Sequence, residues 1–175
     1  MKFYFNKLQI MESIQLDAID LQLLDSLQHD ASLSNVALAE KVHVSPPTCL
    51  RRVKRLVQGG WIERQVAVLN SDQLGQTLGH GLTALVEVSL DRQGSEQMAL
   101  FEARAVAHAA VQQCWRVSPG PDFMLVVQAR DMPHYLTISQ TLFTQDANVR
   151  NVKAFFATKR AKFTATWPLP NPPAA

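Results

Sequence analysis

The chain has 175 residues, 47% of them hydrophobic and 18% charged. That is enough apolar material for one large domain or two small ones, and too much for a disordered polymer. A formal net charge of +2 identifies no partner. Two cysteines, Cys49 and Cys114, stand without CxxC or Cys/His ligand spacing, which argues against a disulfide scaffold or structural zinc and fits a reducing, cytoplasmic compartment.

The opening run MKFYFNKLQI is apolar but interrupted by Asn6, Lys7 and Gln9, too short to span a bilayer, and without a small-residue cleavage site. Residues 1–15 read as an N-terminal extension, with Met11 an alternative start. Asp17 then opens a first helix as its cap, with Asp20 at the third helical position and Leu16 stapled against Leu21. Ile19, Leu23 and Leu27 form its inner face. Ser34 caps a short second helix carrying Val36, Ala39 and Val42, and His43-Val44 makes a tight turn.

The third helix lies within VSPPTCLRRVKRLVQGG, Val44–Gly60. Ser45 is placed to accept a backbone N–H, and Pro46 suits the first helical position, where no donor is needed. Leu50, Val53, Leu56 and Val57 follow helical spacing as an apolar stripe. Gly59-Gly60 supplies the stop. Acids (Asp17, Asp20, Asp25, Asp30, Glu40) dominate before this helix, and bases dominate from Lys41 to Arg64. Three short helices with a basic last member make a helix-turn-helix unit over residues 16–64. Its ligand is double-stranded DNA. Thr48, Arg51, Arg52 and Arg55 are the candidate DNA face, since Arg reads guanine edges or clamps phosphate and Thr touches phosphate or a thymine methyl. Lys54 is assigned nearer the apolar stripe, as a phosphate contact or surface residue. Ser45 serves as cap and second as phosphate contact, Pro47 shapes the helix start by packing and second approaches the DNA backbone, and Arg64 is a phosphate or surface group.

Trp61–Leu69 is β-rich and predicts a strand leading out, the wing of a winged helix-turn-helix. Residues 65–80 read as a linker rich in Gly and polar groups. From 81 to 169 the periodicity predicts a strand at Leu82–Leu90, a helix marked by Met98, Phe101, Ala105 and Ala109, and strands at Val111–Ser118 and Asp122–Arg130 joined by Pro119-Gly120-Pro121. A second helix carries Tyr135, Ile138 and Leu142, and Val149–Thr158 and Phe163–Trp167 are extended. Residues 170–175 are a tail. The order β-α-β-β-α-β is the α+β, ferredoxin-like arrangement, with an antiparallel sheet and helices on one face. In the Asp122–Arg130 strand, Phe123, Leu125 and Val127 are apolar on one side and Met124 and Val126 on the other. The open face therefore calls for a second subunit, a homodimer. Trp115 and Trp167 read as core or interface anchors. The five histidines lack metal-ligand spacing, and no nucleophile–base grouping, phosphate-binding glycine loop, cofactor box or membrane span is recognisable.

The segment LDAIDLQLLDSLQHDASLSNVALAEKVHVSPPTCLRRVKRLVQGGWI, the pair Asp122-Phe123 and the ending KFTATWPLP resemble the Lrp/AsnC (feast/famine) family of transcription regulators, over roughly Leu16 to Leu169. The resemblance implies a dimer or a ring of dimers, and an amino acid or related metabolite as effector. That effector would sit between dimers near the loop Ser118-Pro119-Gly120-Pro121-Asp122. The family pattern there is Gly-x-x-Asp. With Asp122 as its Asp, Pro119 stands in place of the glycine and Gly120 falls one residue late. Ala154 and Phe155 occupy positions where relatives often carry Ser or Thr. Two other functions share the scaffold: an effector-independent architectural DNA-bending protein, and a sirohaem-decarboxylase-like enzyme.

Overall fold

A computed structural model describes residues 15–79 and 81–170. The N-terminal extension up to residue 14, the alternative start at Met11, His80 and the tail beyond Pro170 lie outside the described residues. The described residues divide into two units, one formed by those up to Ala67 together with those from Phe163 on, and the other by those between Val68 and Lys162.

The first unit holds α1 (Ala18–His29), α2 (Asn35–Lys41) and α3 (Pro46–Gln58). Asp17 and Asp20 close the expected capping box: the Asp20 N–H donates to Asp17 Oδ1 at 2.9 Å, and the Asp17 N–H to Asp20 Oδ2 at 3.3 Å. Ser34 caps α2 by accepting from the Ala37 N–H at 3.2 Å. The core is Leu23, Leu38, Ala39, Val42, Cys49 and Leu56, with Ile19, Leu27 and Val53 packed beside it. Two inward faces are rotated from expectation. On α2, Leu38 points in and Val36 stays 53% exposed. On α3, Cys49 and Leu56 are buried, while Leu50 and Val57 are each 49% exposed. A three-helix unit buries only a narrow stripe of its last helix, so Leu50 and Val57, two turns apart on one flank, fall outside it.

Gly59-Gly60 stops α3 as expected. The Gly60 N–H donates to Val57 O and the Trp61 N–H to Leu56 O, both at 3.0 Å, with Gly60 at φ 75°. This is the reciprocal pair of a Schellman cap. A Cβ at Gly60 would meet nothing within 4 Å, so the cost of a side chain there is conformational. Gly60→Ala should lower stability by about 1 kcal/mol in chemical denaturation. The expected strand at Trp61–Leu69 is not formed. The segment has no ladder partner among the described residues, and Val66, Val68 and Leu69 are 65–67% exposed; β-propensity alone does not make a strand without a neighbour.

The second unit begins inside the expected linker, where Ser71–Leu78 forms a helix, α4. There follow β1 (Leu82–Leu90), α5 (Ser95–Ala107), β2 (Val111–Arg116), β3 (Phe123–Ala129), α6 (Met132–Ser139) with a π-helical turn (Gln140–Thr144), and β4 (Val149–Phe156). The four strands form one antiparallel sheet in the order β2-β3-β1-β4, the ferredoxin-like topology expected. Ala84, Val86, Val88 and Leu90 of β1 and Phe123, Leu125, Val127 and Ala129 of β3 face a core completed by Phe101, Ala105, Tyr135, Ile138, Leu142 and Phe143. The Phe101 and Phe123 rings lie 4.7 Å apart.

The opposite face of the sheet is also apolar. Leu85 registers with Val126 on one side and Phe155 on the other, and Trp115 faces Met124. Leu85, Phe155 and Trp115 are 42%, 52% and 60% exposed. Glu87 and Lys153, paired across the same face at 3.9 Å, punctuate it.

The Phe163–Trp167 stretch carries no strand and groups with the first unit. One contact there is unreadable from local pattern: the Gln28 side chain of α1 donates to Trp167 O at 3.0 Å and accepts from the Trp167 N–H at 2.8 Å.

Candidate nucleic-acid interface and effector loop

The recognition surface follows from which side of α3 is buried. With Cys49 and Leu56 inward, Pro47, Arg51, Lys54 and Gln58 fall on the opposite stripe by helical spacing, and all four are exposed. Neither Arg51 nor Lys54 has an acidic partner among the described residues. Lys54 is thus not near the apolar stripe, as the sequence suggested, but beside Arg51. Ser45 holds the position of an N-cap without making the backbone bond expected of it. Its hydroxyl pairs instead with Thr48 Oγ1 at 2.8 Å, so the two hydroxyls lock each other at the helix start. Asn35 of α2 donates to Pro46 O at 2.9 Å and fixes that end of α3 against α2.

Arg52 and Arg55 depart from the expected DNA face. Arg52 donates to Asp17 Oδ2 at 2.7 Å and to Asp20 Oδ1 at 2.9 Å, and Arg55 pairs with Asp20 Oδ2. Asp20 is fully buried, and the Arg52 side chain is only 17% exposed. A carboxylate taken out of water requires charged donors, and α3 supplies both. The four bases in Arg51–Arg55 thus divide: two face outward, and two hold α1. Sequence reading took Asp17 and Asp20 only as caps. Their spacing to the arginines gives no signal until α1 and α3 are packed.

Burial pushes the Asp17 carboxyl up, but the Asp20 N–H and the Arg52 guanidinium outweigh it and hold it below the ordinary aspartate value. A carboxyl lowered in the fold contributes stability that is present above the ordinary carboxylate range and lost as pH falls through the lowered value. The melting temperature of Asp17→Asn should therefore lie below wild type at about pH 5, and the gap should narrow as pH falls below the ordinary aspartate range. A gap that widened in acid would contradict the pairing. Burial also pushes up the Cys49 thiol, and the Cys114 thiol through burial and then Glu102, against Arg116; neither is a thiolate nucleophile at neutral pH.

In the second unit, the loop Ser118-Pro119-Gly120-Pro121-Asp122 turns with Gly120 at φ 124°. Asp122 is tied to β1: its Oδ2 accepts from the Leu90 N–H at 2.6 Å, and its own N–H donates to Val88 O at 2.9 Å. One carboxylate oxygen is therefore engaged in holding the loop to the sheet. Pro119, at the glycine position of the pattern, offers no N–H. His108, at the C-cap of α5, and His134, in the first turn of α6, accept backbone N–H bonds from Ala110 and Arg130, both at 3.2 Å. Among the described residues no cluster of three His, Cys, Asp or Glu gathers at metal-binding distance, and no helix is long and apolar enough to cross a membrane.

Comparison with known proteins gives the same two parts. Residues 16–57 match the AsnC-type helix-turn-helix domain, and residues 83–167 match the Lrp/AsnC ligand binding domain. The chain is 34% identical to the leucine-responsive regulatory protein of Rhizobium meliloti (strain 1021), over 85% of this chain and 93% of that protein. Its fold is similar to a transcriptional regulator of Neisseria meningitidis solved as its L-Met complex, with 28% identity and a TM-score of 0.78 over 88% of this chain and 97% of that one. An AsnC family regulator of Agrobacterium tumefaciens matches with 26% identity and a TM-score of 0.78, over 87% and 97% of the two chains. Two domains in this order, a helix-turn-helix with an outward basic stripe and a ligand-binding α+β unit, make the chain a transcriptional regulator of the Lrp/AsnC family.

Proposed function

We propose that the chain recognises a near-palindromic duplex as a two-fold dimer, with α3 of each protomer in a major groove. The observation that carries this reading is the outward stripe of α3, where Arg51 and Lys54 stand opposite the buried Cys49–Leu56 side and have no acidic partner among the described residues. In this reading Arg51 reads a base edge, and Lys54 neutralises phosphate. Thr48 and Ser45, at the helix start, serve phosphate or a thymine methyl, and Pro47 packs on the backbone. Arg52 and Arg55 act indirectly, by setting the angle of α3 against α1. The regulator works in the cytoplasm, with its DNA.

Selection from a randomised duplex pool tests this. The enriched sequence should be bound roughly 10³-fold or more tightly than a scrambled duplex at physiological salt, and log affinity should fall linearly with log salt. Equal affinity for both duplexes would remove sequence recognition.

The open face of the sheet is the proposed dimer surface, supported by the apolar row Val126–Leu85–Phe155 with Trp115 and Met124 beside it. Placing two carboxylates there, in the double variant Leu85→Glu and Phe155→Glu, should convert dimer to monomer in light scattering and weaken operator binding in parallel. A dimer that survived both charges would place the interface elsewhere. The effector proposed is an amino acid bound near Ser118–Asp122, between dimers assembled further into a ring. The L-Met complex of the similar Neisseria regulator supports the ligand class. A panel of amino acids in a thermal-shift assay checks it, because a ligand bound only by the folded state raises apparent stability. No shift with any of them would leave a constitutive, effector-independent binder.

A further inference from the structure

The chain passes between its two units twice, at Ala67-Val68 and again at Lys162-Phe163. The second passage follows directly from β4, whose last residue, Phe156, lies six positions before it. The returning segment does not hang free in the first unit. Both polar groups of the Trp167 peptide backbone are met by one side chain, Gln28, in the last turn of α1. A primary amide is the side chain that can donate to a C=O and accept from an N–H at once, so this clasp imitates a strand rung. The Gln28 Nε2 is further steadied by Asp25 Oδ1 at 3.1 Å. Trp167 itself is 74% exposed, so its ring contributes little burial and the hold is by backbone.

The other end of α1 is held just as specifically. Asp20, fully buried, carries the ion pairs to Arg52 and Arg55 of α3. A helix is stiff over its twelve residues. A displacement at Gln28 is therefore delivered at Asp20, and from there to the helix that bears Arg51 and Lys54.

We propose that α1 is the relay between the ligand-binding unit and the recognition helix, driven through the returning C-terminal segment by the Gln28–Trp167 clasp and passed on through Asp20. This rests on the reading of α3 as the DNA-contacting helix, and it adds the route by which that helix is regulated. Gln28 is a positioning residue in this scheme, touching neither DNA nor effector. Coupling is reciprocal, so DNA bound at α3 must be felt in β4.

The test uses the full chain, with a duplex selected by the wild-type protein as probe, and hydrogen exchange as readout. In wild type, duplex binding should change amide exchange in β4 and in residues 159–167. In Gln28→Leu, which removes both bonds while keeping a good helix former on an accessible site, the β4 response should vanish while duplex affinity stays within about threefold. Trp167→Pro removes the N–H from the other side of the clasp and should do the same, so a folding defect in one variant does not leave the question open. Gln28→Glu, able to accept but not donate, should restore part of the response. A β4 response that persists in both clasp variants overturns the proposal, as does its absence in wild type with duplex bound. Failure of wild type to bind any selected duplex would instead defeat the DNA-binding reading itself.

Discussion

Asp20→Ala should destabilise the N-terminal unit by about 3 kcal/mol or more, and this loss should exceed that of any exposed charge substitution on α3. The reason is local. Asp20 is fully buried and accepts from an Nη atom of both Arg52 and Arg55, whose buried Nε atoms have no partner among the described residues. Removing the carboxylate leaves the half-buried Arg55 without its acidic partner and Arg52 with Asp17 alone. It also removes the reciprocal half of the capping box, the bond from the Asp17 N–H, while the N-cap bond to Asp17 remains. The measurement is chemical denaturation of wild type and variant, with the two units followed separately where their transitions part. Asp20→Asn should lie between, since the amide still accepts hydrogen bonds but carries no charge. A loss below about 1 kcal/mol for Asp20→Ala would mean that the arginines swing to solvent without penalty, and their place on the DNA face would have to be reconsidered.

Arg51→Ala should cost about 1–3 kcal/mol of operator affinity, roughly five- to more than a hundredfold, and relax base preference at one position in each half-site. Lys54→Ala should weaken binding to all duplexes alike and lower the salt slope by about 1. The two residues share one exposed stripe of α3, so the contrast between them separates base reading from phosphate contact. If Arg51→Ala reduced every duplex equally, Arg51 would be a second phosphate contact. Unchanged affinity at low and high salt would take it out of the interface. Neither change should alter folding, because both side chains project away from Cys49 and Leu56.

Much of the architecture was legible in the chain. Alternation in Leu82–Leu90 and the turn signals around Pro119-Gly120-Pro121 specify strands, because a strand shows opposite faces to opposite environments every second residue. Asp17, Ser34 and Gly59-Gly60 mark helix ends, since the orphan backbone groups there need those side chains or a left-handed glycine. The same local logic failed where it had no neighbour to consult. Trp61–Leu69 has strand composition and no ladder among the described residues, and Ser71–Leu78 forms a helix in what composition reads as linker. In the site, the identity of the helix was readable and its rotation was not. A shift of one residue in the buried stripe, from Leu50 to Cys49, moves Lys54 outward and brings Arg52 inward.

What the residues determined alone is the pair of domains, their order and the basic character of α3, because periodicity and end signals are local properties of a chain. Tertiary packing decided which cations are available. Only when α1 lies against α3 does Asp20 lose water and claim Arg52 and Arg55, and only when the chain returns does Trp167 meet Gln28, 139 residues away in sequence. Charge in a sequence is a count. The burial that gives each charge its partner is a property of the fold.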